Sequence, residues 1–122
     1  MPYAYDPQNI FARILRGEIS NDTVLETEHS LAFNDIQPQA PVHVLVIPKG
    51  PWVCYDHFAQ EASDAEIADY TRAIGEVCRL MGVEQGGFRM ISNAGEHGVQ
   101  EVPHLHVHIL GGRPLGRMLQ KA

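Results

Sequence analysis

One stretch constrains this chain more than any other. His104-Leu105-His106-Val107-His108-Ile109-Leu110 alternates imidazole with aliphatic side chains. Successive residues of a strand face opposite sides of a sheet, with roughly 7 Å between residues two apart. The segment therefore fits a strand, predicted over 102–110, with His104, His106 and His108 on one face. Leu105, Val107 and Ile109 occupy the other and can pack on helices. A buried sheet face has no packing reason to carry three histidines, so that row points to chemistry.

The rest of the chain supplies the sheet and the helices. A short helix is predicted over 9–16, with Ile10, Phe11, Ile14 and Leu15 at helical spacing and Gly17 as its stop. Extended runs over 23–27 and 31–36, separated by Glu28-His29-Ser30, read as a hairpin. Pro38 and Pro41 interrupt the chain, and a strong strand follows over 43–47, ended by Pro48-Lys49-Gly50. The long helix is the clearest element. Ser63 and Glu66 form a capping box, Asp64 adds negative charge to the first turn, and Gly82 suits the stop. Ile67, Tyr70, Ile74, Val77, Cys78 and Met81 give it one apolar face. A strand over 87–92, a polar loop over 93–99 and the histidine strand complete the order, with Gly111-Gly112 at its end. We expect an α+β domain, with an antiparallel sheet of about five strands, one long helix and one short one.

Composition narrows the function. The chain has 122 residues, the size of one domain, and 44% are hydrophobic, enough for a real core. A net charge of -6 argues against nucleic acid polymers as partners. A small phosphate ligand remains compatible, because backbone N–H groups and histidines can hold one anion on an acidic protein. No stretch approaches a membrane span, and the N-terminus lacks the layout of a signal peptide. Cys54 and Cys78 form no disulfide framework and no Cys-x-x-Cys pair, so free thiols in a cytoplasmic protein are expected.

On the residues alone, three uses of the histidine row stay open. It can be a polar, solvated face, although such faces usually draw on Thr, Lys and Glu. It can ligate zinc, with Glu101, His43 or His97 completing the set, although none has a diagnostic spacing. It can supply a nucleophile for attack at phosphorus, since neutral imidazole is nucleophilic near neutral pH and its phosphorylated form is hydrolysable. Flanking histidines and backbone N–H groups of the preceding loop can then supply the donors that hold the phosphate.

The seven-residue run has the His-φ-His-φ-His-φ-φ form (φ apolar) of the histidine triad (HIT) superfamily. The tail Leu110-Gly111-Gly112-Arg113 resembles its nucleotide-binding branch, HINT. Further blocks resemble that branch in order: Ile10-Phe11-Ala12-Arg13-Ile14, Ala32-Phe33-Asn34-Asp35-Ile36, Pro38-Gln39-Ala40-Pro41, His43-Val44-Leu45-Val46-Ile47-Pro48-Lys49, and Asn93-Ala94-Gly95 before Gly98-Val99-Gln100.

The resemblance implies a single HIT domain over 1–122 and a purine nucleoside phosphoramidase acting on AMP or GMP conjugates. His106 would attack the α-phosphorus and leave a nucleotidyl-histidine for water to hydrolyse. His108 would contact the phosphate or leaving group, His104 would support the site, and the His104 carbonyl would fix the tautomer of His106. His43 would orient the cluster. Asp35 would bind the ribose hydroxyls beside Asn34, and Ile10, Phe11, Ile14, Phe33 and Ile36 would wall the base. Read singly, Asp35 is as well a turn former and the apolar set ordinary core. Asn93 and the backbone of Val99, Gln100 and Glu101 would hold the phosphate. The resemblance also implies a homodimer whose two sheets join, and no metal or cofactor. Two departures, both similar to bacterial members, bear on substrate choice. Glu101 stands where animal members carry serine, and the ending Arg113-Pro114-Leu115-Gly116-Arg117-Met118-Leu119-Gln120-Lys121-Ala122 lacks their tryptophan. A dinucleoside polyphosphate hydrolase of the same superfamily and a nucleotide-binding regulatory module are the alternatives.

Overall fold

The computed structural model describes residues 3–119, so the last three residues of the ending just named lie outside it. Helix α1 (Ile10–Leu15) starts where Asn9 can cap it: the Asn9 side chain accepts the Ala12 N–H at 2.9 Å. Six residues make no stable helix alone. Packing holds α1, through Phe11, Ala12 and Ile14 on its buried side. Strands β1 (Thr23–Glu26), β2 (Ser30–Asn34) and β3 (Val42–Pro48) follow, then helices α2 (Tyr55–Glu61) and α3 (Asp64–Leu80), and strands β4 (Phe88–Ile91) and β5 (Val107–Gly111). At α3 the Ser63 hydroxyl accepts the Glu66 N–H and the Glu66 carboxylate accepts the Ser63 N–H, each at 3.1 Å. A cap of this kind is worth about 1 kcal/mol.

The five strands form one antiparallel sheet in the order β1-β2-β3-β5-β4. Strand alternation divides its core in two. Ala32, Val44, Val46, Val107 and Ile109 face Phe58 of α2 and Tyr70, Ile74 and Val77 of α3. Leu31, Phe33, Leu45 and Ile47 face Phe11 and Ile14 of α1. His43 and His108 share this second face, because each alternates with residues of the first.

Two expectations need correction. The sequence reading has one short and one long helix, whereas α2 makes a third. Its seven residues are too few to show a period, and Cys54 at its start makes no side-chain cap. The histidine strand begins at Val107 rather than Val102. The last β3–β5 partners are Val46 and Val107; beyond them the chain leaves the ladder, and Leu105 instead donates its N–H to the Trp52 carbonyl at 2.8 Å. His104 and His106 therefore stand on an unpaired lead-in to the strand. Cys54 and Cys78 are both free and buried. No helix among the described residues is long and apolar enough to cross a membrane.

Candidate active site

A cavity of about 510 Å³ opens on the α1 face of the sheet, within the range of roughly 300–1,000 Å³ usual for small-molecule sites. Ile10, Phe11, Ile14, Phe33, Leu45 and Val102 give it apolar walls, and His106 and His108 stand in its lining with Asn34, Asp35, Asn93, Val99 and Glu101. A second hollow of about 590 Å³ lies between the glycine-rich approach to β4 and residues 112–115. It is of similar size, but it holds two arginines and no candidate nucleophile, so the chemistry belongs to the first.

Hydrogen bonds fix each imidazole. Nδ1 of His106 lies 2.7 Å from the carbonyl oxygen of His104. A carbonyl only accepts, so Nδ1 carries the hydrogen and Nε2 keeps an unprotonated lone pair. Ser92 donates its hydroxyl to the His106 carbonyl at 3.0 Å, which ties this unpaired stretch to the end of β4. Phe11 meets the His106 ring edge-on at 4.9 Å and His108 meets it at 5.1 Å.

The same reasoning settles the second pair. Nδ1 of His43 accepts the backbone N–H of Gln39 at 3.0 Å, so its hydrogen sits on Nε2. That nitrogen lies 2.9 Å from Nδ1 of His108 and 3.4 Å from an Asp35 carboxylate oxygen. His43 donates to His108, and His108 in turn carries its hydrogen on Nε2. One ring thus offers a lone pair and its neighbour a donor.

Burial keeps all four rings neutral. It lowers His104 and His108 to about 4, and repulsion between protonated rings, from His106 on both and from His43 on His108, adds to the effect. Burial also holds His106 below the usual histidine value, opposed by the His104 carbonyl, Asp35 and Glu101. His43 is lowered for the same reason, opposed by Asp35.

Asp35, His43 and His108 are a set among the described residues whose ligand atoms all lie within 4.8 Å of one another. Chemistry works against a cation there. His43 Nε2 bears a hydrogen for as long as Gln39 occupies Nδ1, and a metal ligand needs that lone pair free.

The expected residues stand at different depths in the site. His104 does not line the cavity; it is fully buried, with Nε2 donating to the Pro48 carbonyl at 2.8 Å. His43, expected to orient the cluster, stands behind His108 and outside the lining. The Gln100 side chain turns inward, accepting the Gly95 N–H and donating to the carbonyls of Val53 and Val102, so it braces the loop. Ile36 is a rim residue, 91% exposed. Val99 sits at φ 55°, left-handed backbone that costs a β-branched residue about 1–3 kcal/mol. Just before it, a Cβ on Gly98 would lie 2.5 Å from the Ala94 carbonyl oxygen, so the loop is closed too tightly for a side chain there. The sequence reading missed Ile19, Ser20, Asn21, Asp22, Gln37, Gln39, Leu45 and Val102 in the lining. Alternation from His43 was a signal for Leu45; the others depend on the tertiary fold.

The family's HIT domain model matches residues 16–115. An uncharacterized 13.2 kDa HIT-like protein of Azospirillum brasilense is 59% identical over 121 residues, covering 99% of each chain. A purine nucleoside phosphoramidase of Escherichia coli is 39% identical over 112 residues, covering 92% of this chain and 93% of that one. A solved histidine triad protein from Clostridium difficile superposes with a TM-score of 0.80 at 38% identity, over 93% of this chain and 98% of the other. By the matched domain, the relatives and the shared fold, this chain belongs to the HIT family.

Proposed function

We propose that the chain is a purine nucleoside phosphoramidase of the HINT type, a hydrolase of AMP or GMP conjugates with amines, built as one HIT domain. The observation that carries this reading is the hydrogen of His106 Nδ1 on the His104 carbonyl, which leaves Nε2 free at the cavity. Nε2 attacks the α-phosphorus, forming an N–P bond while the P–N bond to the amine breaks and the amine takes up a proton from solvent. Water then displaces His106 from phosphorus and returns a proton to solvent, giving the nucleoside monophosphate and the free imidazole. His108 Nε2–H donates to a phosphate oxygen, a contact that strengthens as charge gathers there. Val99 and Gln100 give their N–H groups to the Glu96 and Gly95 carbonyls and so shape the loop. Asn93 and the backbone at Glu101 hold the phosphate, Asp35 the ribose hydroxyls beside Asn34, and Ile10, Phe11, Ile14 and Phe33 the base.

The charged residues lining the cavity are Asp22, Asp35 and Glu101, with no Lys or Arg among the described lining residues. A polyphosphate chain would meet carboxylates without a compensating cation, so a dinucleoside polyphosphate is the poorer substrate. The protein acts as a homodimer through the free edge of β4, which exposes Phe88 and Met90; unpaired edges and exposed apolar side chains both favour association. Two buried free thiols fit a cytoplasmic location.

The test is hydrolysis without added metal and with a chelator present. AMP should be released from an AMP–amine conjugate at least about tenfold more efficiently than from diadenosine tetraphosphate, a difference of roughly 1.4 kcal/mol. A preference for the tetraphosphate would select the other hydrolase, and loss of activity with the chelator would select a metal enzyme.

A further inference from the structure

The segment before α1 crosses behind the histidine cluster and lies ahead of the residues that match the family's domain. Tyr5 places its hydroxyl 2.7 Å from Nδ1 of His104, and the two rings meet edge-on with centroids 5.6 Å apart. His104 has no exposed surface. Its Nε2 hydrogen is already given to the Pro48 carbonyl, so Nδ1 holds a lone pair and the Tyr5 hydroxyl donates to it. The carbonyl of this same residue receives Nδ1–H of His106. His104 lies outside the sheet ladder; the peptide unit of this carbonyl is held by the Leu105 N–H on the Trp52 carbonyl at 2.8 Å, and the His104 ring is its second anchor. One end of that anchor is Pro48 on β3. The other is Tyr5.

We propose that Tyr5 is a positioning residue: through His104 it holds the carbonyl that keeps His106 with a free Nε2. The proposal rests on His106 being the nucleophile. Removing the hydroxyl leaves a buried acceptor without a donor and frees the ring to tilt about its single remaining hydrogen bond. The peptide unit of the His104 carbonyl is then left with the Leu105 bond to Trp52 and a loosened ring, and His106 samples orientations in which Nε2 is off line with phosphorus. Ground-state binding is untouched, because Tyr5 lies outside the cavity lining.

Tyr3 provides the control. It fastens the same segment by a hydrogen bond to Asp56 and by stacking on His57, centroids 5.0 Å apart, without touching His104. Tyr5→Phe and Tyr3→Phe are compared in AMP–amine hydrolysis and in two-bond ¹⁵N–¹H spectra of the histidine rings, which report each tautomer without substrate. Tyr5→Phe is expected to lower kcat about tenfold, in the range of other supports to reacting groups, with KM within about twofold. Its His104 Nδ1 resonance should move towards a free acceptor, whereas Tyr3→Phe leaves both readouts as in the parent. Equal losses in the two variants would show that only the tether of the segment matters, and an unchanged kcat in Tyr5→Phe would overturn the proposal. The parent alone gives an independent check if Tyr5→Phe fails to fold: a hydrogen on His104 Nδ1 rather than Nε2 contradicts the geometry. A parent that cannot release AMP would remove the proposed activity while leaving the tautomer result readable.

Discussion

Replacing His106 by Asn is expected to reduce AMP release at least about a hundredfold, a loss of roughly 3 kcal/mol of transition-state stabilisation or more. Asn is the informative choice. Its side-chain amide can still donate to the His104 carbonyl, so the unpaired stretch around residue 106 keeps its main tether. What disappears is the lone pair at the cavity. Most of the loss should fall on kcat, since the walls of the cavity, from Ile10 to Phe33 and Asp35, are unaltered. Steady-state kinetics at matched folded fraction, checked by urea midpoints, measures it. A variant with parental kcat would remove His106 from the chemistry.

Acid is expected to weaken the protein through its histidines before its carboxylates matter. His104 and His108 sit at about 4 in the folded chain, whereas an unfolded chain takes up these protons near 6.5. Between those values the unfolded state binds protons that the folded state excludes, so stability is full above the unfolded value and falls as pH drops towards 4. From His104 alone, which is fully buried, the loss by pH 5 is about 2 kcal/mol. Urea midpoints at pH 7 and pH 5 measure it, and identical midpoints would contradict the neutral, buried cluster. Glu66 and Asp69 are lowered instead, held as carboxylates by the hydrogen bonds of Ser63 and Trp52 and of Thr27 and Ser30, against the opposing effect of burial. Their contribution is lost in a separate, more acid window. Activity follows the same logic. Protonated His106 has no lone pair, so the acid limb of kcat/KM should have its midpoint below 6.5.

How much of this was legible in the sequence depends on the range of the interaction. The capping box at Ser63 and Glu66, the apolar stripe from Tyr70 to Cys78 and the strand at Val44 to Ile47 are local patterns, and each forms where the pattern places it. The three histidines were visible as a group on one face, but alternation alone does not rank them. The fold makes them unequal, because β5 leaves its pairing with β3 at Val107 and the first histidine drops beneath the cavity. His43 illustrates the limit well. Alone it is one polar residue in an apolar strand. Its hydrogen bond to His108 exists only because β3 and β5, 65 residues apart at these positions, are neighbours in the sheet. The Gln39 amide that fixes its tautomer depends on the turn after Asp35. Helix α2 was hidden by its shortness, and Tyr5 by its distance of 99 residues from His104.

The central claim is two displacements at phosphorus with His106 as the intermediate carrier, and stereochemistry tests it without requiring that the intermediate accumulate. An AMP–amine conjugate with one configuration at phosphorus, defined by isotopically distinct oxygens, is hydrolysed in water carrying the third oxygen isotope. Each in-line displacement inverts phosphorus, so attack by His106 followed by water gives AMP with net retention. Net inversion would mean that water attacks the conjugate directly, and that His106 is not the nucleophile.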